Sequence, residues 1–464
     1  MHSRSSKPNL VHRQVAAALG CLAGAATAPG HAADTDAAAT ELAEVKVVSQ
    51  SEEADGSAAG GYRNRSVTLG PLGTKPLAEV PYSVSVTPAS FIENVHANRP
   101  TEALRYDPTV NPEMGSNRSG DYLAVHGFIN SSNQAIDGMR ANVASGGWLE
   151  DKERVEVLSG ATSFLYGIAS PAGMVNYVLK RPMATPTATL SIGSYGGAQA
   201  FAHLDAGGPL DTAGRFGYRL NVLGVDDGNT GVDKERQPRS LLSTAIDWHL
   251  TPDTLLSFDA ARYHQKLKQA QAYFFVTGIT EVPSVPDASK SYSAPYAVNE
   301  ESDETLGVQL SSKINDRVSL RAALRHSRAD LRYAGVRNRF VDNDGNYTQE
   351  MMYYRAPRIT TENRGNLFVD VAFRTGPLAH TLTAGYIGSS VEVNSAGTST
   401  YKFPTSTIVS MYDPIVQADP NVNTFYPAFV TQKSRQDSLL LADDIRIDER
   451  WSLLARANRP QLYD

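Results

Sequence analysis

The chain has 464 residues, a formal net charge of −6 at pH 7 and 41% hydrophobic residues. That length exceeds one ordinary globular core, so we expect either two domains or one large barrel. The lack of a concentrated Lys/Arg stripe argues against nucleic-acid binding, and the single cysteine, Cys21, excludes a disulfide framework and a thiolate metal site.

Residues 1–32 have the pattern of a secretory signal peptide. Basic residues precede an uncharged run of small apolar residues at 15–28, and Gly30 and Ala32 place small side chains at the −3 and −1 positions of a cleavage site. We predict cleavage after Ala32 and export across the inner membrane. The apolar run is too short to span a bilayer, which disfavours an uncleaved anchor.

Residues 33–65 are rich in Ala, Ser, Gly, Asp and Glu and have few large apolar side chains. Because such a composition cannot bury a core, we predict a mobile periplasmic segment. One short alternating run interrupts it and is able to add as a strand to the sheet edge of another protein, although an isolated strand fragment is the alternative. This run consists of Glu44, Val45, Lys46, Val47 and Val48.

Residues 66–182 are predicted to form a compact mixed α/β domain. The alternation at 80–86 predicts a strand, and Pro100 directly before 101–104 predicts the first turn of a helix. Further short strands are expected at 122–125 and 154–158, with Gly- and Asn-rich loops at 115–121 and 129–147.

Residues 187–464 change to long amphipathic strands. Short turns such as 207–209 alternate with long loops at 267–303 and 395–435. Strands of about ten residues or more, with short turns at one end and long loops at the other, are typical of an outer-membrane barrel. A soluble β-sandwich would have shorter strands. The predicted strands lie at 187–195, 199–207, 215–226, 240–250, 254–266, 304–314, 317–335, 348–374, 379–394, 436–447 and 450–456.

Three stretches of the chain resemble one known family. The most specific is 153–182, ERVEVLSGATSFLYGIASPAGMVNYVLKRP, which is joined by 74–84, TKPLAEVPYSV, and by 136–139, IDGM. Together they resemble the plug of TonB-dependent siderophore receptors of the ferrichrome and ferripyoverdine type. The resemblance covers about residues 44–455 and is weaker after the plug.

The resemblance implies a β-class fold, in which an α/β plug (66–182) fills a 22-stranded antiparallel transmembrane barrel. The part from 187 to 464 would supply about eleven strands, or the first half. The resemblance further implies a monomeric receptor, not an enzyme, in the outer membrane of a Gram-negative bacterium, in contact with lipid and lipopolysaccharide. A ferric siderophore would bind from outside, and TonB, working with ExbB–ExbD, would pair with residues 44–48 as the TonB box. Iron would arrive fully chelated, so neither a cofactor nor a protein-bound metal is expected.

Two departures from the family pattern stand out. His126, Gly127 and Phe128 occupy the place of the family's Arg-Gly-Phe, and an imidazole cannot make the bidentate contacts of a guanidinium. A half-barrel would leave two unpaired strand edges in lipid, so we expect a fragment or a frameshifted reading frame, and no transport by this chain alone.

Ligand contacts are expected on loops at the apex of the plug. An Arg side chain can hold a hydroxamate or carboxylate oxygen, and an aromatic ring can pack against the chelate. The alternative for each position is an ordinary solvated loop residue. The candidates are Arg118, Asn130, Ser131, Asn133, Gln134 and Trp148, while Glu153, Arg154 and Glu156 are expected to tie the plug to the barrel wall by salt bridges.

Other functions remain open at this point. The same fold could carry cobalamin, a sugar or another metal chelate, or the chain could be a non-transporting remnant with a plug and half a barrel. An enzyme is disfavoured because the sequence offers no grouping of nucleophile, base and orienting residue.

Overall fold

A computed structural model describes residues 55–112, 123–129, 133–141, 148–160, 162–166, 172–404 and 407–463, all within one unit that runs from Asp55 to Asp464. The predicted signal peptide, the predicted TonB box at 44–48, and Arg118, Asn130 and Ser131 lie outside the described residues. In the described part of the chain, no helix is both long and apolar enough to cross a bilayer.

The first region is an α/β plug with short elements. Its central sheet has five strands in the order β3-β9-β10-β7-β8, and two smaller sheets pair β1 with β2 and join β4, β5 and β6. The strands are β1 Ser66–Thr68, β2 Thr74–Pro76, β3 Ser83–Pro88, β4 Val110–Pro112, β5 Leu123–Val125, β6 Phe128–Ile129, β7 Gln134–Ile136, β8 Met139–Ala141, β9 Lys152–Ser159 and β10 Gly173–Leu179. The helices are α1 Ala89–Asn94, α2 Pro100–Ala103 and α3 Ser163–Tyr166, with 3-10 turns at Gly70–Leu72 and Leu77–Glu79.

Alternation along the two central strands of the plug builds two cores. On β9, Val155 and Val157 enter one buried cluster and Leu158 enters the other, on the opposite face of the sheet. On β10, Tyr177 enters the same cluster as Val155, and Met174 enters the same cluster as Leu158. The strand predicted at 154–158 is therefore confirmed, and it is longer than predicted because β3 and β10 pair with both of its edges.

Two tight hairpins of the plug depend on residues with positive φ. His126 and Gly127, with φ of 51° and 78°, connect β5 to β6, and Asp137 and Gly138, with φ of 50° and 73°, connect β7 to β8. Positive φ at both central positions matches the type I′ turn, whose twist suits a hairpin. At Gly138 a Cβ would also lie 2.9 Å from the Cα of Gly70, so a side chain is excluded there.

The second region is one large antiparallel sheet. Eleven strands follow each other in the order β11-β12-β13-β14-β15-β17-β18-β20-β21-β24-β25, which confirms the predicted number, and in the described residues the sheet does not close on itself. These strands are β11 Thr187–Gly196, β12 Gln199–Pro209, β13 Phe216–Val225, β14 Arg239–Thr251, β15 Thr254–Lys268, β17 Val298–Lys313, β18 Val318–Phe340, β20 Arg358–Thr375, β21 Leu378–Ser395, β24 Phe429–Arg446 and β25 Ser452–Tyr463.

The connections distinguish the two ends of this sheet. The short-turn end carries the turns 210–215, 252–253, 314–317, 376–377 and 447–451, and the long-loop end carries 226–238, 269–297, 341–357 and 396–428. The short connection 197–198 also lies at the long-loop end. This asymmetry agrees with the barrel pattern predicted from sequence.

The two faces of the sheet differ in chemistry. On β18, Leu324 is 62% exposed, whereas the next residue, Arg325, is 7% exposed and faces the plug. Plug residues contact strands from β12 to β25, so the sheet wraps around the plug. The face turned away from the plug is apolar and includes Leu190, Ile192, Leu242, Ile246, Trp248, Phe258, Leu306, Leu324, Leu367, Tyr386, Leu439, Leu441 and Leu453.

The long loops are more ordered than predicted. The run predicted as one strand at 348–374 is two strands, because β18 extends past its barrel partner β17 and β19 pairs with that extension before the chain turns back into β20. The loops predicted at 267–303 and 395–435 contain further strands and the starts of β17 and β24. The added strands are β16 Tyr273–Phe275, β19 Asn346–Tyr354, β22 Thr398–Lys402 and β23 Val409–Ser410.

These added strands and the end of β18 form what we call the lobe. Three loops contribute to its buried core, which consists of Tyr292, Phe340, Tyr347, Val409 and Met411. The last strand also differs from its prediction at 450–456, because β24 offers a pairing edge that carries β25 on to Tyr463.

Candidate functional site

Two predicted ligand residues of the plug are buried. Asn133 is 1% exposed and Gln134 is 2% exposed. Gln134 lies in β7, between Val175 of β10 and Ala141 of β8, and the side-chain oxygen of Asn133 accepts a hydrogen bond from Arg140 at 3.2 Å. Contrary to the sequence-based expectation, neither side chain is placed to meet a ligand at the surface, since Gln134 lies within the sheet of the plug and Asn133 is buried directly before it.

Trp148 was also predicted to contact the ligand, and it lies instead between the plug and the wall. It is 6% exposed and its ring stacks on Tyr263 of β15, with centroids 4.8 Å apart and planes 19° apart. The Lys152 ammonium lies 4.6 Å from the centre of the indole. Leu223 and Leu241 of the wall complete this cluster. The indole therefore seals the plug against the sheet.

Arg154 and Glu156 were predicted to form salt bridges with the wall, but they pair with each other inside the plug. Arg154 Nε donates to Glu156 at 2.7 Å, and the same carboxylate accepts from the Thr68 amide at 3.0 Å and from Asn176 at 2.7 Å. Burial raises the pKa of Glu156, and Arg154 opposes that rise only in part. Glu153 is exposed, and its predicted role stays a prediction.

The plug is joined to the wall at Asp137, which the sequence reasoning did not select. Its side chain is 11% exposed and accepts hydrogen bonds from Arg181 at 2.6 Å and from Gln309 of β17 at 3.0 Å. Arg325 of β18 lies 3.5 Å away, and the Leu179 amide donates at 2.9 Å. Burial alone would raise the pKa of Asp137, but Arg181 and Arg325 hold it below its usual value.

Asp259 of β15 completes this arrangement. It pairs with Arg325 at 2.9 Å and lies 3.6 Å from Arg181. Two guanidinium groups and two carboxylates thus form a neutral cluster, with Asp137 and Arg181 from the plug end of the chain and Asp259 and Arg325 from the wall. Such matching is what allows charge to be buried.

Lys180 forms a second neutral cluster next to the first. Its ammonium contacts Asp205 of β12 at 2.8 Å and Glu93 of α1 at 3.1 Å. Asp205 also accepts two hydrogen bonds from Arg219 of β13, at 2.5 and 2.7 Å. The adjacent basic residues Lys180 and Arg181 therefore contact different strands of the wall. In the sequence, their position at the end of the plug motif was the feature that could have indicated these plug–wall contacts.

Further contacts follow the plug along the wall. Near the short-turn end, Arg321 donates to the Pro71 carbonyl oxygen at 2.7 Å and Arg456 donates to the Leu165 carbonyl oxygen at 2.5 Å. Additional pairs are Lys75 with Asp444, Arg239 with Glu150 at 3.2 Å, and Arg99 with Gln237 at 2.9 Å. Between the plug and the wall there is a cavity of about 430 Å³, bordered by Asp137, Arg154, Arg181, Arg321 and Arg325.

The two charged clusters join the plug to the wall through matched opposite charges. Each charged group of the two clusters has an opposite charge beside it, so none is left as a free acid, base or nucleophile. Among the described residues, no group of three His, Cys, Asp or Glu side chains could hold a metal ion. The charged gap between the two regions can instead be hydrated and rearranged without exposing a hydrophobic core.

Comparison with known proteins identifies the first region. Residues 76–174 match the family model of the TonB-dependent Receptor Plug Domain. That match includes β3 to β9 and the hairpin that carries Asp137.

Relatives extend the similarity beyond the plug. The chain is 29% identical over 343 residues to the metal-pseudopaline receptor CntO of Pseudomonas aeruginosa (strain UCBPP-PA14), covering 72% of this chain and 46% of the relative. It is 23% identical to the ferrichrome receptor FcuA of Yersinia enterocolitica, covering 88% and 53%. The chain spans about half the length of the curated relatives it matches.

The fold has solved counterparts. The ferric preacinetobactin receptor BauA of Acinetobacter baumannii superposes with a TM-score of 0.74 at 19% identity, over 86% of this chain and 63% of that one. At this identity the likeness concerns the fold alone. Residues 76–174 therefore form a TonB-dependent receptor plug domain, and the plug match and the similar receptors together support a TonB-dependent siderophore receptor.

Proposed function

We propose that the chain is the plug and part of the barrel of an outer-membrane receptor that takes up ferric siderophores or related metal chelates with energy from TonB. The observation that carries this proposal is the placement of the matched plug against the inner face of a sheet whose outer face is apolar. In a closed barrel, a domain held in this way would fill the central passage.

The two faces of the sheet support a membrane location. Exposed side chains such as Leu324 and Leu439 would be costly in water and suit hydrocarbon. Strand pairing satisfies the main chain of the strands between β11 and β25, as a spanning structure requires, whereas the outer edges of β11 and β25 have no partner strand among the described residues. The inward face meets the plug with paired charges instead.

The cargo is proposed from the relatives. The names of the similar proteins refer to metal-pseudopaline, ferrichrome, ferrioxamine B and ferric pyoverdine, and two of these names state that the cargo is a metal complex. The receptor would therefore need no metal ligands or cofactor of its own. The similarity to a metal-pseudopaline receptor favours, as a second candidate, a chelate of a metal other than iron.

The remaining partners follow from the same proposal. TonB, with ExbB–ExbD, would engage residues 44–48 from the periplasm by strand addition. The apolar face would contact lipid and lipopolysaccharide, and the receptor would act as a monomer in the outer membrane of a Gram-negative bacterium.

The test uses the 464-residue chain in a Gram-negative host that lacks its own siderophore receptors. We expect the chain in the outer-membrane fraction and saturable binding of at least one iron- or zinc-loaded chelate by that fraction. Uptake that requires TonB is expected when further strands that close the barrel are expressed with the chain. A chain recovered in the soluble periplasm, or no binding of any chelate, would contradict the proposal. Binding without uptake would support the non-transporting alternative.

A proline substitution tests the TonB box within the same assay. Val45→Pro removes a main-chain donor that strand addition uses, so uptake should be lost while chelate binding is retained. Ala39→Pro lies in the same segment outside 44–48 and is the matched control. Equal loss of uptake in both variants would contradict the assignment of the box.

A further inference from the structure

Side chains along β18 alternate between the two faces of the sheet. Arg321 and Arg325 on this strand face the plug, where Arg321 bonds to Pro71 and Arg325 lies beside Asp137. The pairing of β18 with β17 and then with β19 proceeds without a register shift. Because side chains two residues apart share a face, Arg337 and Arg339 face the same inner side, above the plug at the long-loop end.

Cross-strand pairing brings more charge to this place. Glu350 of β19 lies opposite Arg337, and Lys402 of β22 lies opposite Glu350. Glu350 is 3.9 Å from Arg337 and 3.7 Å from Arg339, so two guanidinium groups share one carboxylate at long range. We call Arg337, Arg339 and Lys402 the cationic wall. Its three positive charges face one carboxylate.

Neighbouring side chains hold the guanidinium groups of the cationic wall in position without engaging all of their hydrogen-bond donors. The ring of Phe275 lies 5.8 Å from the guanidinium carbon of Arg337 and 5.1 Å from that of Arg339. Arg339 donates to the Thr277 hydroxyl at 2.8 Å and remains 43% exposed. The buried Nε of Arg337 has no hydrogen-bond partner among the described residues. Arg337 also donates to the Met352 sulfur at 2.6 Å, so the more accessible guanidinium group at the long-loop end is that of Arg339.

Asp342, another acid of the lobe, is held by the turn in which it lies. The carboxylate of Asp342, in the β18–β19 turn, accepts hydrogen bonds from the amides of Asp344 and Asn346 at 3.0 and 3.1 Å. It is therefore engaged at the tip of the hairpin. The excess charge of the cationic wall creates a local field that attracts anions.

Resting on the proposed function, we infer that the cargo is an anionic metal chelate, recognised through carboxylate or catecholate oxygens by Arg337, Arg339 and Lys402. A planar guanidinium donates two parallel hydrogen bonds to such oxygens, which a neutral hydroxamate complex satisfies less well and a cationic one opposes. Phe275 adds an apolar surface for the body of the chelate.

The first test measures the dissociation constants of four chelates for the unsubstituted chain. The chain is purified in detergent and titrated with an anionic iron tris-catecholate, iron citrate, a neutral iron tris-hydroxamate and cationic ferrioxamine. We expect an anionic chelate to bind most tightly, with a dissociation constant that rises steeply with salt because screening weakens exposed charge interactions. Preference for the neutral or cationic chelate would overturn the inference and leave the proposed function standing. No binding of any of them would contradict the proposed function.

The second test removes the charges. The double variant Arg337→Gln with Arg339→Gln should weaken the anionic chelate roughly tenfold to a hundredfold, as expected for lost charge-assisted hydrogen bonds, and change the neutral one less than about twofold. Lys402→Gln should give a smaller loss, and double replacement by Lys should restore part of the affinity. Arg332→Gln is the matched control, exposed on the opposite face of the same strand. Equal effects on anionic and neutral chelates, or an effect of Arg332→Gln as large as the double variant's, would overturn the inference.

Discussion

The arginines in the two halves of β18 differ in how closely they are paired with carboxylates. At the short-turn half, Arg321 pairs with Asp370 at 2.9 Å and Arg325 pairs with Asp259 at 2.9 Å, and both also meet the plug. At the long-loop half, Arg337 and Arg339 share Glu350 at more than 3.5 Å. Arginines with a close carboxylate partner hold the plug and the wall together, and arginines that share one distant carboxylate remain available to a ligand.

Magnitudes explain why the two halves differ. Breaking a buried ion pair leaves an uncompensated charge and costs about 3–5 kcal/mol, whereas an exposed pair contributes roughly 0–1 kcal/mol. Arg325 is buried and Arg339 is 43% exposed. The plug contact therefore requires charge balance, while the mouth tolerates an excess of charge. The predictions below test this contrast, beginning with the largest expected effect.

Asp137→Ala should give the largest loss of stability. It removes the carboxylate that the buried Arg325 and the partly buried Arg181 share and leaves Asp259 as their common partner, so we expect a loss of about 3–5 kcal/mol in the free energy of unfolding of the plug. Urea unfolding of the chain in detergent measures it. Glu153→Ala, an exposed carboxylate of the same domain, is the control. If the two variants unfold at the same urea concentration, the cluster does not hold the plug.

Tyr347→Ala should loosen the lobe without loosening the plug. Tyr347 is fully buried and its ring meets Phe274 edge-on at 5.4 Å, so its removal should cost about 3–5 kcal/mol locally. Limited proteolysis should then cut within 269–297, while the urea midpoint of the plug stays unchanged. Tyr412→Ala, at a half-exposed ring, should do neither. A fall in plug stability would show that the two regions are not independent.

Trp148→Phe separates packing from ligand binding. The smaller ring keeps part of the contact with Tyr263, so we expect a loss of about 1 kcal/mol in plug stability. Affinity for the bound chelate should not change, because the indole is buried against the wall. A selective loss of affinity with normal stability would restore the role predicted from sequence.

Lowering the pH should give the smallest change in stability, and the direction of that change follows from the pKa of Asp137. The pKa of Asp137 in the folded chain lies below its usual value of 3.8, so its contribution is fully present above that value and is lost as the pH falls through the lower folded pKa. The stability difference between the wild type and Asp137→Asn should be constant from neutral pH to about pH 5 and then shrink, by at most about 1.4 kcal/mol per pH unit. Unfolding monitored from pH 7 to pH 3 measures it. A difference that grows on acidification would contradict the depressed pKa.

Local sequence patterns determined much of the architecture. Alternation placed the strands of the large sheet to within a few residues at most boundaries, and the motif at 153–182 was sufficient to identify the plug. These features depend on side-chain periodicity and on near neighbours in the chain, which a single sequence displays directly. The loops behaved differently, since β16 and β19 pair with the extension of β18 and β22 pairs in turn with β19.

Only the tertiary structure decided what the individual polar residues do. Asn133, Gln134 and Trp148 resemble loop residues in sequence, and the fold buries them. Asp137 resembles an ordinary turn residue, yet its carboxylate meets Gln309 and Arg325, more than 170 positions away. The physical reason is that the free energy of a charge depends on burial and on the opposite charge beside it. Both are set by strands distant in the chain, so periodicity predicted where the side chains point but not what they meet.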